Sequence, residues 1–486
     1  MLHNYLEKYK NMSLPVRMAF WYLICNFVQK GIGMISTPVF TRIMQESEYG
    51  RYGVYMSWYS ILSVIVTLSI SGNCFTRGLV IIDEKKKKEE LASSLLGLVI
   101  TLIAIYVIVY LLFSEKINKL TNLNSYLFSM MFVDLAMITA LNFWINSMRV
   151  EYKYKGIVTL TLSYTLLRPI LAIFLVLHSP INVQVEARVT GIAVANVILF
   201  SWIYIYIFLK GKKFFIKKNW LYALSFCIPL IPHYLSKTVL NESDRIMISS
   251  ICGPSFAGYY SVAYTIAAIM TIFNSAVAQS LDPWIYQSIK KRRLARIGTV
   301  SYKITAVIAV INFMVMSIAP EALRILAPAN YSKALWVIPP VTASVFFTFM
   351  YDLFASFQFY FKKTRLIALG SCGGAVLNII LNAVLIPKYG FIAAGYTTLV
   401  CYVLFGILHF CFMRRVCNEF LDGYRVYDAK IIFGIGGLLI VGSFIMLLLY
   451  NYTILRYFVM ITILTIGAIL RKRIFAIFQS VKEESK

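Results

Sequence analysis

A chain of 486 residues that is 59% hydrophobic and only 14% charged has too few polar residues to cover a water-soluble fold, so lipid is its expected solvent. Its net charge of +26 would point to nucleic acid in a soluble protein, but here the placement of the basic residues reports topology and leaves no nucleic-acid partner. There is no G-x-x-x-x-G-K-[ST] phosphate loop and no H-E-x-x-H site, and the chain holds four histidines; ATP hydrolysis, a metal and an enzymatic role are not expected.

Residues 1–15 are polar and aromatic, read as a cytoplasmic segment without a cleavable signal, so the first span is expected to remain in the membrane. Apolar stretches of about twenty residues follow, each long enough at about 1.5 Å per residue to cross roughly 30 Å of hydrocarbon. They predict an all-α polytopic membrane protein of about fourteen helices, near 16–40, 53–75, 91–113, 125–148, 157–178, 189–209, 220–240, 257–284, 298–319, 335–360, 366–386, 391–412, 430–449 and 453–470. With the N-terminus in the cytoplasm, 33 of the 47 Lys and Arg residues fall on the cytoplasmic side, five inside spans and nine, Arg188 among them, on the opposite side. That bias is the positive-inside pattern of a multi-pass protein, and it places both termini, including the tail 471–486, in the cytoplasm. The eight cysteines are scattered without metal-like spacing and read as packing residues.

An internal repeat is visible. After the first span the chain reads Arg42-Ile43-Met44 and then Gly50-x-Tyr52-x-Val54; after the seventh it reads Arg245-Ile246-Met247 and then Gly258-x-Tyr260-x-Val262. Thr190-Gly191 opens span six as Ala394-Gly395 opens span twelve. Spans one to six (16–219) and seven to twelve (220–429) are therefore expected to form two six-helix lobes, with two further spans (430–470) outside the repeat. Six is even, so both lobes enter the membrane from the same side and are expected to be related by an axis along its normal.

Ionisable groups at bilayer depth are costly and usually face a protein interior or a wet cavity. In span one, Asn26, Gln29, Lys30, Gly33 and Thr37 form a polar stripe. In span seven, His233, Ser236, Lys237 and Asn241 form another, beyond Pro229 and Pro232, which are expected to break or kink that helix. At the repeat offset, Lys30 corresponds to His233, and with Arg168 of span five these groups are expected to line a shared central cavity with positive charge. Two readings stand: an anion site, since Lys and Arg attract phosphate strongly, or internal pairing with Asp134 or Asp352.

Phe40-Thr41-Arg42-Ile43 leading to Tyr49-Gly50, Asp244-Arg245 leading to Ala257-Gly258-Tyr259-Tyr260-Ser261-Val262, and Asn378 to Gly390, written NIILNAVLIPKYG, together resemble the Wzx-type oligosaccharide flippases. These form the polysaccharide-export branch of the multidrug/oligosaccharidyl-lipid/polysaccharide superfamily, and the likeness spans nearly the whole chain. The resemblance implies transfer of undecaprenyl-pyrophosphate-linked oligosaccharide from the cytoplasmic to the outer leaflet of a bacterial plasma membrane by alternating access. Lys30, Arg168, His233, Lys237, Asn26 and Gln29 are then the expected pyrophosphate and glycan contacts, while Arg42, Arg77, Asp244 and Arg245 stabilise gates or helix ends. Expected partners are the lipid-linked oligosaccharide, the bilayer, and a polysaccharide polymerase or glycosyltransferases; no cofactor is implied and no residue identifies a coupling ion.

Two rival functions differ in what they need. A cation-coupled drug exporter of the same superfamily needs a carboxylate for its cargo, yet no Asp or Glu occurs between Glu7 and Glu46. A membrane glycan polymerase needs a larger external loop than the roughly fifteen-residue connections expected here.

Overall fold

A computed structural model describes residues 14–484; residues 1–13 and 485–486 of the expected cytoplasmic segments lie outside the described residues. Among the described residues there are 17 α-helices and no strand, as hydrocarbon requires of a chain whose backbone groups must pair within each segment. Eleven helical segments are long and apolar enough by themselves to cross a membrane. The helices Leu14–Ile43, Glu46–Thr67 and Thr453–Glu484 supply the other expected spans. The chain is an all-α polytopic membrane protein. Two compact units divide it, Met1–Thr238 and Val239–Lys486, compared with a division at 219–220 in the sequence reading.

The first unit contains α1 (Leu14–Ile43), α2 (Glu46–Thr67), α3 (Asn73–Ile81), α4 (Lys85–Thr121), α5 (Ser125–Val150), α6 (Tyr154–Leu177), α7 (Gln184–Gly211) and α8 (Lys217–Cys227), together with the start of α9 (Ile231–Cys252). Asn124 starts α5 by accepting a hydrogen bond from the Leu127 backbone N–H at 2.9 Å, which satisfies one of the donors that a helix N-terminus leaves free. α8 and α9 are separate helices, joined through a 3-10 turn at Ile228–Leu230; Pro229 and Pro232 offer no backbone N–H to continue one ladder. α7 packs against α4, α5 and α6. Its approach to α6 is close enough that a Cβ on Gly191 would lie 2.6 Å from the Ala172 backbone, so glycine is required where the two helices cross.

The second unit continues α9 and adds α10 (Pro254–Lys290), α11 (Leu294–Ser317), α12 (Ala319–Leu326), α13 (Ile338–Tyr360), α14 (Thr364–Tyr389), α15 (Ile392–Phe420), α16 (Ala429–Leu449) and α17 (Thr453–Glu484). The chain turns from α9 into α10 at Gly253, φ +108°, a conformation open to glycine, and Pro254 occupies the first turn of the next helix. α13 is covered on nearly all sides, with 89% of its span buried against 28% for α16. It packs against α10, α11, α15 and α16 and is the central helix of this unit. Near the end of the chain, the Arg456 guanidinium is 2% exposed. It donates to both Glu321 carboxylate oxygens, at 3.0 and 2.5 Å, and to the Ser317 carbonyl at 3.0 Å. Burial pulls the Glu321 carboxyl upward, but hydrogen bonds from Arg456 and Tyr457 outweigh it and hold the group below its ordinary value of 4.5.

Candidate functional site

Five helices of the first unit line an open cavity of about 530 Å³. α1 contributes Gln29, Gly33, Ser36 and Phe40, which recur every three or four residues and so share one face. α2 contributes Tyr52, Tyr55 and Tyr59 by the same periodicity; α5 supplies Asp134, α6 supplies Tyr164 and Arg168, and α7 supplies Arg188.

Polar groups inside this wall are linked across helices. Arg168 donates through Nε to the Asn196 side-chain oxygen at 2.6 Å, and the Asn196 amide nitrogen donates to Asp134. Asparagine thus relays between a guanidinium and a carboxylate that it keeps apart, and Tyr59 hydrogen-bonds the same Asp134. The Arg168 guanidinium stacks 4.5 Å from the Tyr164 ring centre, leaving its Nη2 buried with no partner. Gln29 donates to the Tyr164 hydroxyl and so joins α1 to α6.

Arg188 shapes the other part of the wall. The sequence placed it in a connection outside the membrane, but it lies in the first turns of α7, only 8% exposed. Its guanidinium is held between the rings of Phe40 and Tyr52, 3.6 Å from each centre. A cation just before an apolar run looks like a loop residue in sequence. Here the helix begins at Gln184, and aromatic faces from α1 and α2 cover the side chain.

Of the residues expected to bind substrate, the cavity brings together Gln29 and Arg168. Lys30 and Asn26 are exposed and are not part of this wall. Rotation explains why: Lys30 sits about 100° round the helix from Gln29, so a stripe drawn from spacing alone merges two faces. His233 and Lys237 stand one turn apart on α9, both within the first compact unit. His233 is half-buried with Nδ1 unpartnered, and Lys237 is exposed. Of the two acids considered as internal partners, Asp134 is tied to Arg168 through Asn196.

The residues expected at gates or helix ends separate as well. Arg42 is exposed and donates to the Pro38 carbonyl at 2.8 Å. Arg77 is exposed, with its guanidinium 5.5 Å from the Phe226 ring centre. Arg245 pairs with Glu242 at 2.6 Å, one turn back on α9. Asp244 turns inward and is fully buried, accepting from Tyr260 at 2.5 Å, Asn382 at 2.6 Å and Thr398 at 2.6 Å.

The chain is similar to the lipid II flippase MurJ in an inward closed conformation, with TM-score 0.69 and 14% identity over 93% of this chain and 99% of that one. An inward-facing multidrug resistance MATE family transporter of the MOP superfamily matches with TM-score 0.62 and 12% identity over 84% and 99%. At these identities the likeness establishes the fold. Among curated proteins, Lsg locus putative protein 1 of Haemophilus influenzae is 23% identical over 38% of this chain and 48% of its own length. A probable low-salt glycan biosynthesis flippase of Haloferax volcanii is 25% identical over 34% and 36%. The chain spans about half or less of the length of these two relatives. The polysaccharide biosynthesis protein family is matched over residues 16–289, more than half of the chain, and to that family the chain belongs.

Proposed function

We propose that this protein is a flippase that carries a lipid-linked oligosaccharide from the cytoplasmic to the outer leaflet of a bacterial plasma membrane, working by alternating access. One observation carries the reading: a cavity within membrane-crossing helices whose wall combines guanidinium groups with tyrosine rings. Such a wall shelters a hydrophilic, anionic headgroup and its sugars from hydrocarbon, while a polyprenyl tail stays in lipid. Family membership and the similarity to a lipid II flippase support the same class of cargo. Lys30, His233 and Lys237 remain candidates for attracting the pyrophosphate, with Arg168 and Gln29 facing the glycan. Polymerases and glycosyltransferases that consume or make such a glycan are the proposed functional partners.

A cation exporter fits this cavity less well. Asp134 is the only acid in the described lining, already engaged by Asn196 and outnumbered by Arg168 and Arg188.

The test is mass spectrometry of lipid-linked intermediates in a deletion strain, combined with a leaflet-specific probe. Intermediates should accumulate facing the cytoplasm and clear when the wild-type chain is restored. Lys30→Ala and Arg168→Ala should abolish glycan export at unchanged membrane abundance. Normal export by either variant removes that residue from the route, and unaltered intermediates in the deletion strain would refute the flippase reading.

A further inference from the structure

At one end of the second unit two short connections meet. The first, 291–293, turns α10 into α11. Arg292 takes a left-handed conformation, φ +54°, and the N–H groups of Arg292 and Arg293 donate to the Ile289 and Ser288 carbonyls at 3.0 and 2.9 Å, which caps α10 and starts α11 within three residues. The second connection, 421–428, turns α15 into α16. The two are fastened together. A Cβ on Gly298 would collide with the Val426 carbonyl, the Ser301 and Tyr427 hydroxyls share a hydrogen bond at 3.3 Å, and the Asp428 N–H donates to the Tyr302 hydroxyl. Between them lies an open cavity of about 510 Å³ whose charged lining is Arg292, Arg293, Arg296 and Asp422.

The positive charge here survives a count of the neighbours. Segments 290–296 and 419–430 hold seven basic residues against three acidic ones, and Asp282, two turns back along α10, narrows that surplus by one. Glu419 is engaged by Lys363 at 2.5 Å, and Asp428 caps α16 by accepting from the Lys430 N–H at 2.8 Å. Asp422 pairs with Arg292 at 2.8 Å with both side chains exposed, a pair that water and salt weaken. Residue type narrows the ligand. The basic runs at 85–88, 210–218 and 362–363 are built from lysine, whereas three arginines converge here. Guanidinium groups bind phosphate oxygens through paired hydrogen bonds, where an ammonium offers a point charge. A lipid source for the phosphate is favoured by α16, which starts five residues after Tyr424 of the lining. Its Ile431, Leu438 and Ile445 recur every seven residues, so they share one face, and all three are exposed. The positive-inside pattern puts both connections on the cytoplasmic side, where basic pockets between membrane helices attract anionic headgroups.

We propose that this cavity binds the phosphodiester headgroup of an anionic phospholipid of the cytoplasmic leaflet. The phosphate sits on Arg292, Arg293 and Arg296, displacing Asp422 from Arg292, and the acyl chains follow the apolar face of α16. The site is separate from the first unit's cavity and makes no use of the flippase reading.

Native mass spectrometry of the full chain in a neutral detergent, offered equal amounts of dioleoyl phosphatidylglycerol and dioleoyl phosphatidylcholine, tests this. The wild type should retain phosphatidylglycerol over phosphatidylcholine by about fivefold or more. Replacing the three arginines together, Arg292→Gln, Arg293→Gln and Arg296→Gln, should bring that ratio close to one. Lys85→Gln, Lys86→Gln and Lys87→Gln, which remove the same charge from the first unit, should leave it unchanged. Asp422→Asn should raise phosphatidylglycerol retention by removing the competing carboxylate. Equal retention of the two lipids by the wild type overturns the site, and an equal loss in the arginine and lysine variants replaces it with diffuse attraction. Displacement of the bound lipid by an equal concentration of glycerol phosphate overturns the lipid assignment, since a soluble phosphate would then suffice. If the triple arginine variant does not elute as a folded monodisperse species, Asp422→Asn decides: unchanged or lower retention sinks the proposal.

Discussion

The two units share a short sequence pattern, yet the polar groups around it are used in opposite ways. Tyr52 and Tyr260 occupy the same place in Gly-x-Tyr-x-Val. In the first unit the Tyr52 ring stacks on Arg188 beside a cavity. In the second, the Tyr260 hydroxyl donates to Asp244 inside a fully buried knot that also holds Asn382 and Thr398. Asp244 itself matches Thr41 at the repeat offset, and Arg188, aligned through Gly191 and Gly395, matches the apolar Ile392. The shared motif keeps its place on a helix while the residues around it change which polar groups are enclosed. Where several donors converge on one acceptor, as on the Asp244 carboxylate, the polar cluster holds helices together. At Arg188 a donor is left over: its Nε is buried with no partner.

Removing the centre of the closed knot should have the largest effect. Asp244→Ala leaves the donors of Tyr260, Asn382 and Thr398 without their acceptor in a dry interior, a loss on the order of 4 kcal/mol. Thr41→Ala, at the matching position of the first unit, gives up a hydrogen bond to the Pro38 carbonyl at 3.3 Å and should cost about 1 kcal/mol. Thermal unfolding of the purified variants in one detergent reads both. Equal shifts would erase the distinction between the two positions.

The next pair concerns helix approach. An alanine Cβ at Gly191 would meet the Ala172 backbone at 2.6 Å, which cannot rotate away. At Gly395 it would meet the Val337 side chain at 3.1 Å and the Pro340 ring at 3.3 Å. Gly191→Ala should therefore destabilise the chain by about 1–3 kcal/mol through overpacking. At Gly395 a smaller clash is partly offset by the better helix propensity of alanine, up to about 1 kcal/mol. A larger loss of folded protein from Gly395→Ala, measured by the same unfolding assay, would contradict the backbone-contact argument.

Hydropathy made the spans readable because lipid imposes length and apolarity on every crossing helix, and the repeat was readable because Gly, Tyr and Val recur in register. Arg168 was legible for a similar reason: a guanidinium inside an apolar stretch needs an explanation. Arg188 was not, because a charge five residues into a helix that opens with Gln184 looks the same in sequence as a charge in a short loop. Periodicity groups residues on a face without fixing which way that face points: Gln29 lines the first unit's cavity and Lys30 is not in that lining. Asp244 and Arg245 are adjacent in sequence and read together, but adjacent helical residues diverge. The signal that separates them was present as Glu242, one turn before Arg245 and correctly spaced to pair with it.

The smallest effect is also the most direct comparison, because it changes one atom at the same repeat position in each unit. Tyr260→Phe removes a buried donor to Asp244 and should cost about 1–2 kcal/mol, since the carboxylate loses one of its hydrogen bonds with no water to replace it. Tyr52→Phe keeps the ring against the Arg188 guanidinium, and stability should stay within about 0.5 kcal/mol of wild type. Phenylalanine also stacks on cations, so Arg188 retains its orientation. The asymmetry follows from what each tyrosine contributes: a hydroxyl in the second unit, an aromatic face in the first. Unfolding temperatures that fall equally for both variants would mean that the first unit depends on its tyrosine hydroxyl too, and that its interior is as closed as the other.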